Sequence, residues 1–220
     1  MSTEAFSDLP LAQASSLVQQ VHAELKARVL DGRLEAGAVV PDSVIAKQMG
    51  VSRNPVRDAC NVLVQSGLLT KQRNRPYRVR EFTTSDLGEL QLLRWGYESA
   101  AVRHIVRHRL PVPDVAQHLD AMTTAHRADD ARASGLADLA FHHALVGSAG
   151  LPELQRRHRS VMEQLSVSMS DFPRFVLPTQ RHRHQEIIEV LEDSIAQGDP
   201  AGILRLLEVH LLTTRADVAR

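Results

Sequence analysis

The chain carries a single cysteine, Cys60, in 220 residues. One thiol excludes an internal disulfide framework and fits a reducing compartment. Aromatic residues make up 4% of the chain, which argues against a β-sandwich core and for aliphatic helix packing. No apolar run approaches the ~20 residues of a membrane-spanning helix, and no basic-then-apolar leader opens the chain. These absences predict a cytoplasmic protein with no membrane partner. Net charge is also lacking, because 26 Lys and Arg balance 26 Asp and Glu. What is present is a 43% hydrophobic content, enough for ordinary globular cores in one or two domains.

The neutral total hides a local imbalance. From Lys47 to Arg80 the cations are Lys47, Arg53, Arg57, Lys71, Arg73, Arg75, Arg78 and Arg80, against Asp58 alone. A basic block in a neutral chain confines contact with a polyanion to one module. Within it, Ser52 is suited to cap a helix, and Pro55 falls in the first turn, where a missing N–H costs nothing. Val56, Ala59, Cys60 and Leu63 then form one apolar stripe. Arg53 and Arg57, four apart, share a different face, which suits phosphate oxygens or the O6/N7 edge of guanine. An ordinary solvated basic helix would carry the same pattern.

The surroundings separate the two readings. Residues 42–49 predict a short capped helix closed by Gly50 in a left-handed conformation. Helix, glycine turn and Ser-capped second helix make a helix-turn-helix. After Gly67, Leu68–Gln72 and Tyr77–Arg80 predict a hairpin with the basic tip Arg73-Asn74-Arg75-Pro76. A first helix is expected from about Ala14 to Leu30, with Leu17, Val21, Leu25 and Val29 on one face. Residues 34–40 form a link able to pair with the hairpin, and residues 1–13 a loose tail.

Leu30-x-Gly32-x-Leu34-x-x-Gly37, Gly50-Val51-Ser52-Arg53-x-Pro55-Val56-Arg57-x-Ala59 and Gly67-Leu68 with the hairpin resemble the winged helix-turn-helix of GntR-family bacterial transcription regulators. Asn54 stands where Thr is common, and Cys60 where Leu is usual. Cys60 lies on the core face, where packing is its expected role. The resemblance implies that Ser43, Ser52, Arg53, Asn54, Arg57, Arg73, Asn74 and Arg75 contact duplex DNA. It also implies a homodimer on a palindromic operator, since two recognition helices related by a two-fold axis read half-sites one helical turn apart.

Beyond Arg80 the chain reads as helices only. They are expected at Leu87 to about His108, Asp114–Arg127, about Ser134 to Gly147, Glu153–Met169, Thr179–Gln197, and Ala201 to near the C-terminus. Ser85-Asp86 is the expected start of the first, and residues 171–178 form a proline-bounded loop. Short connections predict an antiparallel bundle. The fold class is therefore mostly α: a flexible tail (1–13), a winged helix-turn-helix with a small β-wing (14–82), and a six-to-seven-helix bundle (83–220).

Of the eleven histidines, all but His22 lie in the second domain. Asp138 and His142 are four apart on one helix, and His184 and His210 lie on two others. A carboxylate and three imidazoles from three helices can close around a divalent ion such as Zn, Ni or Mn. His104, His108, His118, His126, His158 and His182 are expected at the surface. His143 should point about 100° away from His142.

Arg94-x-x-x-Glu98, Asp138-x-x-Phe141-His142, His184-x-x-Ile187, Gly198-Asp199 and His210-Leu211 resemble the FCD effector domain of the FadR branch. That resemblance implies a metal held by the Asp and three His residues, and a small carboxylate effector held by the metal and a nearby Arg. The stretch from His184 to Asp199 is about one helical turn longer than the usual pattern, with His182 as the fallback ligand, and Leu151 stands where Asn is frequent. Arg94 has two open roles, a bidentate grip on a ligand carboxylate or a pair with Glu98.

The expected function is a DNA-binding regulator, in the sense of a repressor, that senses an organic acid and is not an enzyme. Two alternatives stay open: a regulator whose effector is the ion itself, and a helical metal-dependent enzyme activating water at the same quartet.

Overall fold

The computed structural model describes residues 15–168 and 180–212. The expected tail, the 171–178 loop and the last residues of the final helix lie outside them. The chain divides into two compact units between Arg80 and Glu81.

In the first unit, α1 (Ser15–Leu30) is followed by β1 (Val39–Val40), α2 (Asp42–Met49), α3 (Arg53–Gln65), β2 (Leu69–Thr70) and β3 (Tyr77–Val79). The three strands form an antiparallel sheet in the order β1-β3-β2. Leu69 faces Val79 and Thr70 faces Arg78, while Val39 and Val40 face Arg78 and Tyr77. The link before α2 thus pairs with the hairpin, as its position suggested. Helices α1 and α2 pack on α3, whose Val56, Ala59, Cys60 and Leu63 are fully buried. From α1, Val21, Leu25 and Val29 complete the core, but Leu17 is 42% exposed. A four-residue repeat advances about 40° per step around a helix, so Leu17 has rotated out of the stripe.

Two expected caps differ in chemistry. The helix expected to be capped, α2, is preceded by Pro41 and has no side-chain cap; the Asp42 carboxylate in its first turn is engaged by Arg53. Ser52 occupies the capping position of α3 but its hydroxyl makes no capping hydrogen bond. Gly50 does close α2 at φ 66°; its glycine freedom is needed there, since an L side chain is strained at that angle.

The second unit holds six helices among the described residues: α4 (Thr84–His108), α5 (His118–Arg127), α6 (Ala131–Gly147), α7 (Pro152–Ser168), α8 (Gln180–Gln197) and α9 (Ala201–Leu212). Helix α4 packs against α6, α7, α8 and α9. Its Val102 and Ile105 meet Phe141 and Leu145 of α6, Ile187 and Leu191 of α8, and Ile203 and Leu207 of α9 in one buried cluster. Each such side chain contributes roughly 1.5–3 kcal/mol through apolar area removed from water.

Three helix starts move. Thr83, not Ser85, caps α4, in a reciprocal box with Asp86. Helix α5 begins at His118 rather than Asp114, because the segment after Pro111 and Pro113 makes i→i−3 turns instead. Helix α6 begins at Ala131, where Asp130 accepts from the Ala133 amide at 2.8 Å; an Asp before an alanine-rich run was the available signal. Before α9, Asp199 accepts from the Ala201 amide at 2.9 Å, as expected of Asp-Pro at a helix start.

Candidate functional site

The basic face of the first unit is built on α3 and the wing. Because the apolar stripe of α3 is buried, Arg53 and Arg57 are turned outward and are exposed. Ser43, Ser52, Asn54, Arg73, Asn74 and Arg75 are exposed as well. Arg53, Arg57, Asn74 and Arg75 line one open groove of about 410 Å³ between the helix and the wing, together with Asp42, Lys71 and Tyr77. Ser43, Ser52, Asn54 and Arg73 are not part of its lining.

Tyr77 fixes the wing to the helix: its ring is buried and its hydroxyl donates to Asn61 Oδ1 at 2.9 Å. Lys71, absent from the expected contact set, lies over that ring with Nζ 4.2 Å from the centroid. The signal was the strand register, since the residue after Thr70 stands opposite the residue before Arg78. Arg53 is held by Asp42 at 3.0 Å. This exposed pair is worth at most about 1 kcal/mol, so a phosphate can take the carboxylate's place at little cost.

The second site lies inside the helical unit. Helix α6 carries Asp138 and His142 on one face, α8 brings His184 and α9 brings His210. Ligand atoms of these four side chains all lie within 4.8 Å of one another. Asp138 Oδ1 is 2.9 Å from His184 Nε2 and 3.8 Å from His142 Nε2, and His142 Nε2 is 3.1 Å from His210 Nε2. Phe141 walls one side, its ring edge-on to His142 and His184. The sequence expectation thus named four residues that the fold brings together. His184, not the fallback His182, supplies the α8 donor; the side chain of His182 lies outside the described residues.

Two further residues shape this cluster. Glu98 is fully buried on α4 and accepts from His142 Nδ1 at 2.6 Å and from Arg94 Nε at 2.8 Å. Burial opposes its charge, but the bonded His142 and the Arg94 guanidinium outweigh it and hold its carboxyl well below the usual range. An ionised carboxylate only accepts, so His142 carries its proton on Nδ1 and turns the Nε2 lone pair toward the cluster. Arg94 also donates to Asp138 Oδ2 at 3.1 Å. The Arg94 charge, helped by the adjacent His184 and His142 rings, keeps Asp138 ionised against its burial. Both roles considered for Arg94 therefore start from one structural fact, a buried guanidinium shared by two carboxylates.

His158 corrects the surface expectation. It is fully buried on α7, with Nε2 3.4 Å from Glu98 Oε1 and its ring stacked on His143 at 5.9 Å. No sequence signal placed it there, because which face of α7 meets α4 is a matter of bundle packing. His104 and His118 are half-buried, and His108 and His126 are exposed.

The protonation states suit a cation. Burial, then the Arg94 charge, push the His142 imidazole down to about 4. Burial also holds His210 well below its ordinary value. Asp138 Oδ1 is buried and, with the His184 ring beside it, still receives no well-aligned hydrogen bond among the described residues. That is a costly state for an ionised oxygen unless a cation meets it. Neutral imidazoles beside one ionised carboxylate form a donor set that first-row divalent ions accept.

Comparison with known proteins agrees with this division. The model for bacterial regulatory proteins, gntR family, matches residues 17–79, and the FCD domain matches residues 90–213. The chain is 30% identical over 204 residues to a probable D-xylose utilization operon transcriptional repressor of Paenarthrobacter nicotinovorans, covering 90% of this chain and 85% of that one. It is 27% identical over 140 residues to the gluconate operon transcriptional repressor of Bacillus licheniformis, covering 63% and 57%. Among solved structures, a putative transcriptional regulator GntR from Rhodococcus sp. RHA1 matches with a TM-score of 0.77 at 27% identity, over 93% of this chain and 97% of that one. With a winged helix-turn-helix presenting arginines and a helical unit enclosing an acid-imidazole quartet, the chain belongs to the gntR family of bacterial regulatory proteins and is a DNA-binding transcriptional regulator with an FCD domain.

Proposed function

We propose that this regulator is a dimeric repressor whose α3 helices read the half-sites of a palindromic operator, and whose helical unit binds a small organic acid through a divalent metal. The observation that carries the sensing half is the convergence of buried Asp138, His142 and His184 with half-buried His210, their ligand atoms all within 4.8 Å of one another. These four would hold a Zn, Ni or Mn ion, which when bound supplies a positive centre for a ligand carboxylate. Glu98 orients the His142 ring, an arrangement that strengthens metal binding by fixing the tautomer. Arg94 uses Nε and Nη2 on Glu98 and Asp138, and a guanidinium has further donors with which to meet a carboxylate. On the DNA side, Arg57 and Asn54 are the base-reading candidates, with Ser43, Ser52, Arg53, Arg73, Asn74 and Arg75 as backbone contacts.

Effector binding would act by population shift, favouring an arrangement in which the recognition helices no longer match the half-site spacing. The test is direct. Protein purified without chelator should contain about one divalent ion per chain, and His142→Ala should lose it. A metal-loaded sample should melt higher with D-gluconate, which has a carboxylate, than with D-xylose, which has none, since a ligand of the folded state raises stability. Elemental analysis showing no bound metal would sink the metal reading. Operator release by added metal alone, with no response to any acid, would instead favour the ion itself as effector. Turnover of an added acid would revive the enzyme.

A further inference from the structure

Asp138 and His142 occupy one side of α6. At about 100° per residue, Ala140, His143, Ala144 and Gly147 fall on the opposite side. These four floor a cavity of about 630 Å³ between α6, the start of α7 and the link that precedes α5. Three of the four are small, and that leaves the space. The cavity holds no member of the quartet, and its volume is in the range of small-molecule sites.

The walls are polar. Asp114 and Gln117 of the link, His118 at the start of α5 and Gln155 of α7 stand over the floor. Among the described residues none of these four side chains makes a hydrogen bond or an ion pair. Asp114 is exposed, and no Lys or Arg among the described residues lines the cavity beside it. Its carboxylate therefore sets the sign of the local field. Gln117 and Gln155 each offer an amide that both donates and accepts, which matches a hydroxyl group. Gln155 is seated against Gly147, where an added β-carbon would stand 3.1 Å from its amide nitrogen. That close approach accounts for a glycine in the last turn of α6, where it weakens the helix.

We propose that this cavity binds a small cationic amine bearing hydroxyl groups. Asp114 meets the ammonium, the Gln117 and Gln155 amides pair with hydroxyls, and Ala140, Ala144 and Gly147 take the carbon skeleton. The carboxylate repels an organic acid, so this ligand is opposite in charge to the one proposed for the quartet. The helical unit thus has two ligand inputs, on opposite sides of α6.

Calorimetric titration of the full chain with two probes of one size tests it. D-Glucosamine carries an ammonium and hydroxyls; D-glucose has the hydroxyls alone. D-Glucosamine should bind and D-glucose should bind at least tenfold more weakly. Asp114→Asn, at an exposed position, should weaken D-glucosamine about tenfold, because a hydrogen bond to a charged group is much stronger than one between neutral groups. Ala140→Leu should abolish binding by filling the floor. Metal content should be the same in both variants. Equal binding of the two probes, or undiminished D-glucosamine binding by Asp114→Asn, would overturn the ammonium assignment. No D-glucosamine binding at millimolar concentration, or full binding by Ala140→Leu, would overturn the site. The metal and acid reading is tested separately, by metal content and acid-dependent melting, and survives either result.

Discussion

Glu98 lies outside the quartet but holds one of its members, His142, and shares Arg94 with another, Asp138. It fixes the ring orientation and tautomer of His142. Glu98→Gln should therefore lower metal affinity about 10–100-fold while leaving the four donors in place, measurable by competition with a metal indicator; undiminished affinity would remove Glu98 from this role. The titration of His142 gives a second prediction. In an unfolded chain this imidazole takes a proton near 6.5, whereas the folded protein resists until about 4. The unfolded state thus binds the proton first, so the stability that neutral His142 contributes is full above about pH 6.5 and is lost as pH falls toward 4. Asp138 and Glu98, both held ionised, add losses in the same direction at lower pH. The melting temperature of metal-free protein should drop from pH 7 to pH 4.5, and a flat profile would contradict the assignment. On the DNA side, Arg57→Ala should weaken operator binding by roughly 1–3 kcal/mol if Arg57 reads a base. A gel-shift titration at fixed salt checks this, and unchanged affinity would strike Arg57 from the contacts.

Among the elements, the turn between α2 and α3 depends on one backbone angle. Gly50 sits at φ 66° with open space around it, so Gly50→Ala meets no clash and its cost is that of the left-handed conformation alone. The expected loss is about 1–2 kcal/mol, read from denaturant unfolding; no loss would mean the turn relaxes to another geometry. The wing depends instead on Tyr77, whose hydroxyl reaches Asn61 of α3. Tyr77→Phe keeps the buried ring and the Lys71 contact but removes that bond. It should cost about 1 kcal/mol and loosen the groove that Arg53, Arg57, Asn74 and Arg75 line. Sequence pattern reached these elements unevenly. The stripe of α3 was legible because Val56, Ala59, Cys60 and Leu63 repeat at helical spacing. The starts of α4, α5 and α6 were misjudged because caps at Thr83 and Asp130, and the turns after Pro111, depend on local hydrogen bonds that several neighbouring residues could equally make.

At the scale of the whole molecule, the two units divide the chemistry: exposed cations in one, buried acids and imidazoles in the other. Salt should weaken operator binding steeply, and replacing Arg75, proposed above as a backbone contact, should lower the slope by about one. With the proposed ion in the quartet, chelator should lower the unfolding temperature of the helical unit, since an ion bound only by the folded state stabilises it; no change would count against the metal reading.

The sequence by itself determined the class of the protein and singled out Asp138, His142, His184 and His210, which the fold brings together. Periodicity and the ordered glycines carry local structure, and the pair Asp138 and His142, four apart on one helix, is a local fact, whereas His184 and His210 lie on two other helices. Only the tertiary structure decided that His158 turns inward, that Glu98 carries His142, that Arg94 is shared by two carboxylates, and that Leu17 leaves the core. Each of those depends on which faces of distant helices meet, and that is settled by packing across the bundle, where no short stretch of sequence holds the information.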